Sequence, residues 1–382
     1  MNRRTALRQM TALAATLAGI VPVATVAQTT VPVMETDASA SGALTGVRNP
    51  LAAPWAAWKA AYLAEDGRVV DDMQQGASHS ESQGYGLYLA ALFGDNDTFD
   101  AIYAWTETNL AIRSDALLAW RWLPEDTNGV SDRNNASDGD LFYAWGLVIR
   151  GQREGNAALL DRARAIAADL VSTCVASAPD GSGRLVFMPA AQGFVTDGGV
   201  IINPSYYMPL AMREVARATG TSMLATCAAD GVAIMRDLAE DGLIPDWVEI
   251  GPQGMFPPVD RPDVNGYEAI RVPLFLIWSG NPDHQAVVNQ ARAYHRFATT
   301  PSGDDGPRGN VTVFDRKSGA VAETSQHVGY GAVAALVYCA STNAQGSAIP
   351  LYRTVGQAYY PATLHLMTLI AQITAAPECV PI

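Results

Sequence analysis

The sequence predicts a mostly α-helical protein, folded as one helical barrel with short β pieces in its loops. Apolar residues recur with helical rather than alternating spacing in about eleven windows of the chain. Strand patterns are few, and the best are 184–187 and 310–314. From about Asn49 onward no stretch resembles a linker, so we expect the helices to share one core. The helical windows are 52–64, 81–93, the residues after Asp97, 141–150, 159–170, 207–218, 222–239, 269–279, 284–297, 328–341 and 356–375.

Individual windows indicate how the helices begin and pack. Leu159, Ala163, Ile166 and Leu170 fall on one stripe of a helix, which predicts a single buried face. Asp97 stands just before another apolar face, and we predict it to be the N-cap of that helix. These windows therefore describe helices that lie on a common core.

The composition limits the classes of function. The chain has 25 Lys and Arg against 38 Asp and Glu, a formal net charge of −13, with 49% apolar and 16% charged residues. That balance excludes a disordered chain and argues against a nucleic-acid-binding protein, which needs a basic face. After the N-terminal segment, we expect residues 28–47 to form a flexible arm and residues 48–382 to form the barrel.

The N-terminal segment, residues 1–27, has the layout of an export signal. It begins with Arg3, Arg4 and Arg8, has no acidic residue, and continues with an apolar stretch and small residues. The adjacent arginines resemble a twin-arginine signal, and an ordinary Sec signal is the alternative. Either route predicts a periplasmic or secreted protein without a membrane anchor after signal removal. Removing the three arginines changes the net charge from −13 to −16.

The cysteines do not predict a metal site. Cys174, Cys227, Cys339 and Cys379 are far apart and lack the spacing of zinc ligands. In an oxidising compartment one or two disulfides are compatible with this pattern, and so are buried free thiols. HExxH, GxSxG, P-loop and dinucleotide-binding motifs are all absent from the sequence. We expect no metal and no cofactor.

A first candidate for chemistry is the segment 78–86, which leads into an apolar run. One interpretation is structural, with Ser80 as an N-cap and Gln83 closing a capping box. The segment also places Glu81 among polar groups and glycines at a helix start. A carboxyl in a partly apolar site of this kind can be kept protonated near neutral pH and act as a general acid.

Two further acidic segments precede apolar helices. In 134–140, Ser137 or Asp138 is suited to cap the next helix, and the residue order does not fit a calcium-binding loop. In 266–273, Glu268 and Arg271 are three residues apart and can form an ion pair on one helix face. The same arrangement would hold a base beside a substrate hydroxyl group.

Aromatic residues supply a further signal. Trp120 and Trp122 lie close together, Trp247 follows an acidic residue, and Tyr359 and Tyr360 are adjacent. Most tryptophans of a chain this size belong to the core. Sugars, however, present flat C–H faces that stack on exposed rings, so an acidic cleft with such residues suits an uncharged polysaccharide.

Taken in order, these segments resemble the blocks of glycoside hydrolase family 8, the inverting endoglucanases and their relatives, and most closely the bacterial cellulases associated with cellulose synthesis. The blocks span residues 67–271, and the helical pattern continues to about residue 375. The resemblance implies an (α/α)₆ barrel with a cleft across one end of the helices. The six blocks are Gly67–Asp71, His79–Gly86, Ala136–Asp140, Asn203–Tyr206, Pro245–Trp247 and Gly266–Arg271.

The resemblance also implies catalytic roles in hydrolysis of a β-1,4-glucan. Glu81 would be the general acid, Glu268 the general base, and Asp138 would hold the sugar at the scissile bond. Inversion requires the acid and base carboxyls to stand ~6.5–9.5 Å apart, with room for a water. The cellulose synthesis machinery is a potential partner. We assign substrate-binding roles to Trp120, Tyr267, Arg271, Gln83, Tyr206 and Tyr360.

One departure from the family pattern bears on activity. The family usually has Asp where this chain has Glu268, and the added methylene would advance the carboxylate by roughly 1.5 Å. A misplacement of this size can lower the rate ~10²-fold. This departure motivates one alternative to a cellulase, a glucan-binding accessory protein with weakened catalysis. The other alternative is the same fold acting on chitosan, xylan or mixed-linkage glucan, because the sequence does not determine the polymer.

Overall fold

Eleven helices of eight or more residues are the main elements of the computed structural model, which describes residues 44–45, 49–126, 129–300 and 309–382. Each lies on one of the windows predicted above, so the mostly α-helical prediction is confirmed. The helices are α1 (Ala52–Tyr62), α2 (Ser80–Phe93), α3 (Asn96–Asn109), α4 (Ser137–Glu154), α5 (Ala157–Cys174), α6 (Pro209–Thr219), α7 (Ser222–Glu240), α8 (Arg271–Trp278), α9 (Gln285–Thr299), α10 (Val328–Thr342) and α11 (Tyr359–Ala375).

The predicted export signal, residues 1–27, lies outside the described residues, and so does the arm 28–47 apart from Leu44 and Thr45. Leu44 is fully buried, and its carbonyl accepts a hydrogen bond from the Asn49 side chain. The described residues all belong to one compact unit, in agreement with a core that no linker interrupts.

The helices differ in how much of their surface is buried. In α2 every residue except Glu81 is buried, and α8 is buried along its whole length. By contrast, α5 buries one stripe, which includes the predicted Leu159, Ala163 and Ile166. The fully buried helices form the interior, and the amphipathic helices cover them.

Two of the predicted helix caps are displaced by one or two residues, and the N-cap of α4 is Ala136, which has no side-chain cap hydrogen bond. Asp95, and not Asp97, caps α3, because its Oδ1 accepts from the Thr98 amide at 3.2 Å. The capping box of α2 uses His79 in place of Ser80: the ring Nδ1 of His79 accepts from the Ser82 amide at 3.0 Å. An imidazole nitrogen can act as this acceptor, but capping rules built on Ser, Thr, Asp and Asn overlook it.

Short antiparallel strands occupy the loops, as predicted. They are β1 (Ser78–His79), β2 (Arg121–Trp122), β3 (Val175–Ser177), β4 (Leu185–Phe187), β5 (Val200–Ile202), β6 (Val248–Gly251), β7 (Gly254–Phe256), β8 (Val264–Asn265), β9 (Asn310–Asp315) and β10 (Val321–Ser325). The pairs are β1 with β2, β3 with β4, β5 with β6, β6 with β7, β8 with β9 and β9 with β10, and the two strands predicted from the sequence are β4 and β9.

Helices α2 and α4 approach each other closely at Gly139. A Cβ atom there would lie 2.4 Å from Ser80 Oγ and 2.6 Å from the backbone nitrogen of Glu81. The beginning of α4 can therefore lie against the beginning of α2 only because Gly139 has no side chain. This contact places Asp138 beside Glu81.

The four cysteines divide into one disulfide and two buried thiols. Cys339 of α10 is bonded to Cys379, near the end of the chain, and their Cα atoms are 5.8 Å apart. Cys174 and Cys227 are free and buried. The sequence was compatible with disulfides and with buried free thiols, and the structure contains both.

Candidate active site

Three carboxyl groups from three helix starts converge on one arginine. The guanidinium Nη1 of Arg271 donates to Glu81 Oε2 at 2.5 Å and to Asp138 Oδ2 at 3.1 Å. Its Nη2 donates to Glu268 Oε2. The fold thus brings together, from positions up to 190 residues apart, the three acids predicted to carry the chemistry.

Arg271 is 1% exposed, so almost none of its surface is open to solvent. Its Nη1 also donates to the hydroxyl of Tyr85 at 2.8 Å, and its Nη2 donates to Ser205 Oγ at 2.8 Å. These contacts give Arg271 a structural role, because it holds the three carboxylates in place; its predicted substrate-binding role stays a prediction. Guanidinium suits this role because its donors point in fixed directions within one plane.

Glu81 and Asp138 lie at the beginnings of α2 and α4, the two helices that meet at Gly139. Glu81 stands in the first turn of α2, and its side chain is 18% exposed. Asp138 is almost fully buried, and its Oδ1 accepts from the Gly139 amide at 2.8 Å. Of this pair, Glu81 is the one with access to solvent.

Glu268 belongs to the turn just before α8, and its side chain is 33% exposed. Its Oε2 accepts from Asn203 Nδ2 at 3.0 Å and lies 3.3 Å from Ser205 Oγ. The turn itself is fixed by Asp246, whose Oδ1 accepts from the backbone amides of Gly266 at 2.8 Å and Ala269 at 2.9 Å. The longer Glu side chain is thus held at its tip and at its backbone.

The electrostatic balance favours a proton on Asp138. Burial raises the pKa of the Asp138 carboxyl to about 7, and the nearby carboxylates of Glu81 and Glu268 add to the rise. Arg271 opposes it, but a single cation does not neutralise three carboxylates. Burial also raises the pKa of Asp246 to about 6. The site therefore holds at least one exchangeable proton near neutral pH.

A buried pair stands behind Glu81. His79 Nε2 lies 3.4 Å from Asp71 Oδ2, and His79 Nδ1 lies 4.0 Å from Glu81 Oε1. Burial opposes a charge on His79, but the hydrogen bond with Asp71 and the charge of Glu81 raise its pKa overall. His79 is two residues from Glu81 in the sequence, and Asp71 ends the first block, but no local pattern predicted that the two side chains form a pair.

Aromatic side chains surround the carboxyls. The rings of Tyr206 and Tyr360 lie 5.6 and 6.0 Å from the Arg271 guanidinium carbon. The Tyr360 hydroxyl donates to the backbone carbonyl of Tyr267 at 2.6 Å, and Tyr267 is 39% exposed. Trp247 lies further along, 6.3 Å from Tyr206 between ring centres. Three predicted substrate-binding tyrosines thus share the site with the acids.

Trp120 lies on the Glu81 side of the site. Its backbone carbonyl accepts from the Ser80 amide at 2.9 Å, directly before Glu81. Its indole Nε1 donates to Asp132 at 2.8 Å, and the guanidinium of Arg121 covers one ring face at 4.4 Å. The position of Trp120 is compatible with its predicted role in binding substrate.

Gln83 does not reach the site. Its side chain is fully buried; its Oε1 accepts from the Val69 amide at 2.6 Å, and its Nε2 donates to Thr106 Oγ1 at 2.8 Å. The predicted substrate-binding role of Gln83 is therefore wrong. Gln83 lies three residues after Ser80, the N-cap that we predicted, and its side chain points into the core. There it holds residues 67–69 against α2.

Three residues of the sequence blocks, for which the sequence predicted no role, contact the base side of the site: Asn203, Ser205 and Asp246. All three bind Glu268 or the turn that carries it. Their type gave a usable signal, since Asn203-Pro204-Ser205 is a typical turn sequence and Asp is a frequent acceptor of turn amides. Their contacts with Glu268 and its turn span 20–65 residues of the chain, so no local sequence pattern predicts them.

Other kinds of site receive little support in the part of the chain that the structure describes. Within the described ranges, no three His, Cys, Asp or Glu residues group as metal ligands, and none of the helices is both long and apolar enough to cross a membrane. A separate cavity of about 930 Å³, lined in part by Arg236, Arg292 and Arg296, contains none of the three converging carboxyls.

Known proteins resemble this chain in sequence and in fold. The family model for glycosyl hydrolases family 8 matches residues 25–374. A probable endoglucanase from Novacetimonas hansenii is 32% identical over 84% of this chain and 91% of its own length. An endoglucanase from Cellulomonas uda is 31% identical over 59% of this chain, which spans only 62% of that protein.

Among solved structures, an endo-beta-1,4-glucanase from Acetobacter xylinum superposes with a TM-score of 0.72 at 30% identity. The superposition covers 85% of this chain and 98% of that one. The predicted (α/α)₆ barrel is thereby confirmed.

Proposed function

The chain belongs to family 8 of the glycosyl hydrolases, and on this premise we propose that it is an endo-β-1,4-glucanase that cleaves internal bonds of cellulose-type glucan. The observation that carries the proposal is the convergence of Glu81, Asp138 and Glu268 on Arg271 within an aromatic-lined site. The endoglucanase names of relatives about 30% identical over most of the chain support the substrate class.

The geometry supports a division of roles among the carboxyls. Glu81, partly exposed, is the general acid that gives a proton to the leaving glycosidic oxygen. Glu268, on the other nitrogen of Arg271, is the base that takes a proton from the attacking water. Asp138 holds a hydroxyl of the sugar at the scissile bond, and with its raised pKa it can donate as well as accept a hydrogen bond.

A comparison of substrates tests the activity. Reducing-sugar release is measured on carboxymethylcellulose, mixed-linkage β-glucan, xylan and chitosan. The proposal predicts the highest rate on the cellulose derivative, and a higher rate on xylan or chitosan would overturn the substrate class. The solved structures of a β-1,3-1,4-glucanase and an exo-oligoxylanase are only 18% identical to this chain, so they support the fold alone.

The variant Glu81→Gln tests the general acid. We expect loss of activity of at least ~10²-fold with an unchanged unfolding midpoint, because the amide cannot give up a proton in the reaction. Glu107→Gln is the matched control: Glu107 accepts from Arg162 Nε at 3.0 Å, away from the site, and its replacement should leave the rate unchanged. A Glu81→Gln variant with most of its activity would contradict the assignment.

The same measurements distinguish the proposed enzyme from a glucan-binding accessory protein with weakened catalysis. Such a protein would bind cello-oligosaccharides, quench tryptophan fluorescence and release no reducing sugar. The hydrogen bonds from Asn203 and Arg271 to Glu268 support a working base, because they hold its carboxylate in one position despite the longer side chain.

We further propose export to the periplasm or beyond, with the cellulose synthesis machinery as a partner. The signal-like residues 1–27 and the Cys339–Cys379 disulfide support the first part, since disulfides persist in oxidising compartments. Fractionation of cells that express the full chain tests the location. The resemblance to cellulases associated with cellulose synthesis supports the partner, and co-purification with the synthase tests it.

A further inference from the structure

The two oxygens of the Glu268 carboxylate have different surroundings. Oε2 accepts from Asn203 Nδ2 and Arg271 Nη2 and lies 3.3 Å from Ser205 Oγ. Among the described residues, none donates a hydrogen bond to Oε1. Because the side chain is 33% exposed, Oε1 is the oxygen left open to water in the cleft.

The orientation of the Asn203 side chain follows from its other contacts. Its Oδ1 accepts from the Ser205 amide at 3.0 Å and from Ser205 Oγ at 2.7 Å. A flipped amide would present an NH₂ group to these two donors, so the network fixes Oδ1 there and Nδ2 toward Glu268. Asn203 is fully buried, and its N–H therefore has this carboxylate as its partner.

Ser205 supports this orientation from the other side. Its hydroxyl accepts from Arg271 Nη2 at 2.8 Å, so its own proton is free to be donated. That proton goes to Asn203 Oδ1 at 2.7 Å, which is closer than Glu268 Oε2 at 3.3 Å. The chain from Arg271 through Ser205 to Asn203 thus orders the donor that holds Glu268.

We propose that Asn203 is a positioning residue for the general base: it binds Oε2 of Glu268, stabilises the ionised carboxylate, and leaves Oε1 as the oxygen that accepts the proton of the attacking water. This inference rests on the proposed function. It also explains how a Glu serves where the family usually has Asp, because the longer side chain is fixed at its tip as well as through its backbone.

Other charged and titratable groups face Glu268, and their influence is held constant in the test. Arg271 Nη2 donates to Oε2 of Glu268, and the other groups are carboxyls or phenols. These neighbours are Arg271, Glu81, Asp138, Asp246, Tyr206 and Tyr360.

The test is the pH dependence of kcat/KM on a soluble cellulose derivative for two variants. Asn203→Ala removes the donor. Asn203→Asp keeps the shape and the acceptor for the two Ser205 donors, but it puts a carboxylate where Glu268 needs an N–H. In both, the acid limb of the profile should move to higher pH by about one unit, further in Asn203→Asp, because the ionised base has lost a hydrogen bond. The alkaline limb should stay in place.

Asn289→Asp is the matched control, because Asn289 donates from α9 to the carbonyls of Ala239 and Gly242 and contacts none of the three acids. Its acid limb should coincide with that of the wild type. An unmoved acid limb in Asn203→Asp, with a wild-type unfolding midpoint, would overturn the positioning role. A wild-type protein without turnover on any glucan would instead overturn the proposed function.

Discussion

Replacing Asp138 with Asn should stabilise the protein at neutral and alkaline pH while it removes activity. Burial raises the pKa of Asp138 from 3.8 to about 7, and the carboxylates of Glu81 and Glu268 contribute. The folded protein therefore binds this proton more tightly than the unfolded chain does. The stability that this proton contributes is complete below about pH 4 and is lost as the pH rises towards 7, where the buried group must ionise.

The size of the effect follows from the shift in pKa. A rise of about three units, at 1.36 kcal/mol per unit, corresponds to a loss on the order of 4 kcal/mol between pH 4 and pH 8. Asn cannot ionise, so the Asp138→Asn variant escapes this loss. Relative to the wild type, its free energy of unfolding should increase by that amount across the same range of pH.

Urea unfolding followed by tryptophan fluorescence at pH 4 and pH 8 measures the difference. Asp140→Asn is the matched control, because burial raises the pKa of Asp140 to about 7 as well, while its oxygens bind the Leu118 amide and Asn135. Relative to the wild type, both variants should become more stable as the pH rises from 4 to 8, and only Asp138→Asn should lose activity. If the free energy of unfolding of Asp138→Asn differs from that of the wild type by the same amount at both pH values, ionisation of Asp138 does not destabilise the fold.

Three further changes have defined outcomes. Glu268→Asp withdraws the carboxylate by roughly 1.5 Å and should lower kcat ~10²-fold with little change in KM; equal activity would contradict the fit of Glu at this site. Gly139→Ala puts a Cβ 2.4 Å from Ser80 Oγ and should lower the free energy of unfolding by about 1–3 kcal/mol together with kcat, and an unaffected melting temperature would argue against the contact. Reduction of the Cys339–Cys379 disulfide, which spans 40 residues, should cost about 4 kcal/mol in urea unfolding and raise the thiol titre from two to four; unchanged unfolding would contradict the pairing.

Periodicity predicted the helices well because each amphipathic window has its own apolar face, and local spacing determines which residues lie on it. It predicted their first residues less well. Asp95 and Asp97 are both good caps in sequence, and tertiary contacts decide between them. His79 was overlooked because its ring nitrogen acts as the capping acceptor.

The three acids were identified from sequence because each stands just before an apolar run and within a recognisable block. The roles of their neighbours depended on contacts over long distances in the chain. Arg271 was expected to bind substrate, but the fold buries it among Glu81, Asp138 and Glu268. Gln83 lies two residues from Glu81, yet the helical turn between them points it into the core.

The most direct test of the central claim, that Glu81 and Glu268 act as acid and base in an inverting hydrolysis, is the anomeric configuration of the first product. Proton NMR of a cello-oligosaccharide digest, recorded before mutarotation, reports it. The account predicts that the new reducing end appears first as the α-anomer, because water attacks from the face opposite the leaving group. A β-anomer as the first product, or no product at all, would contradict it.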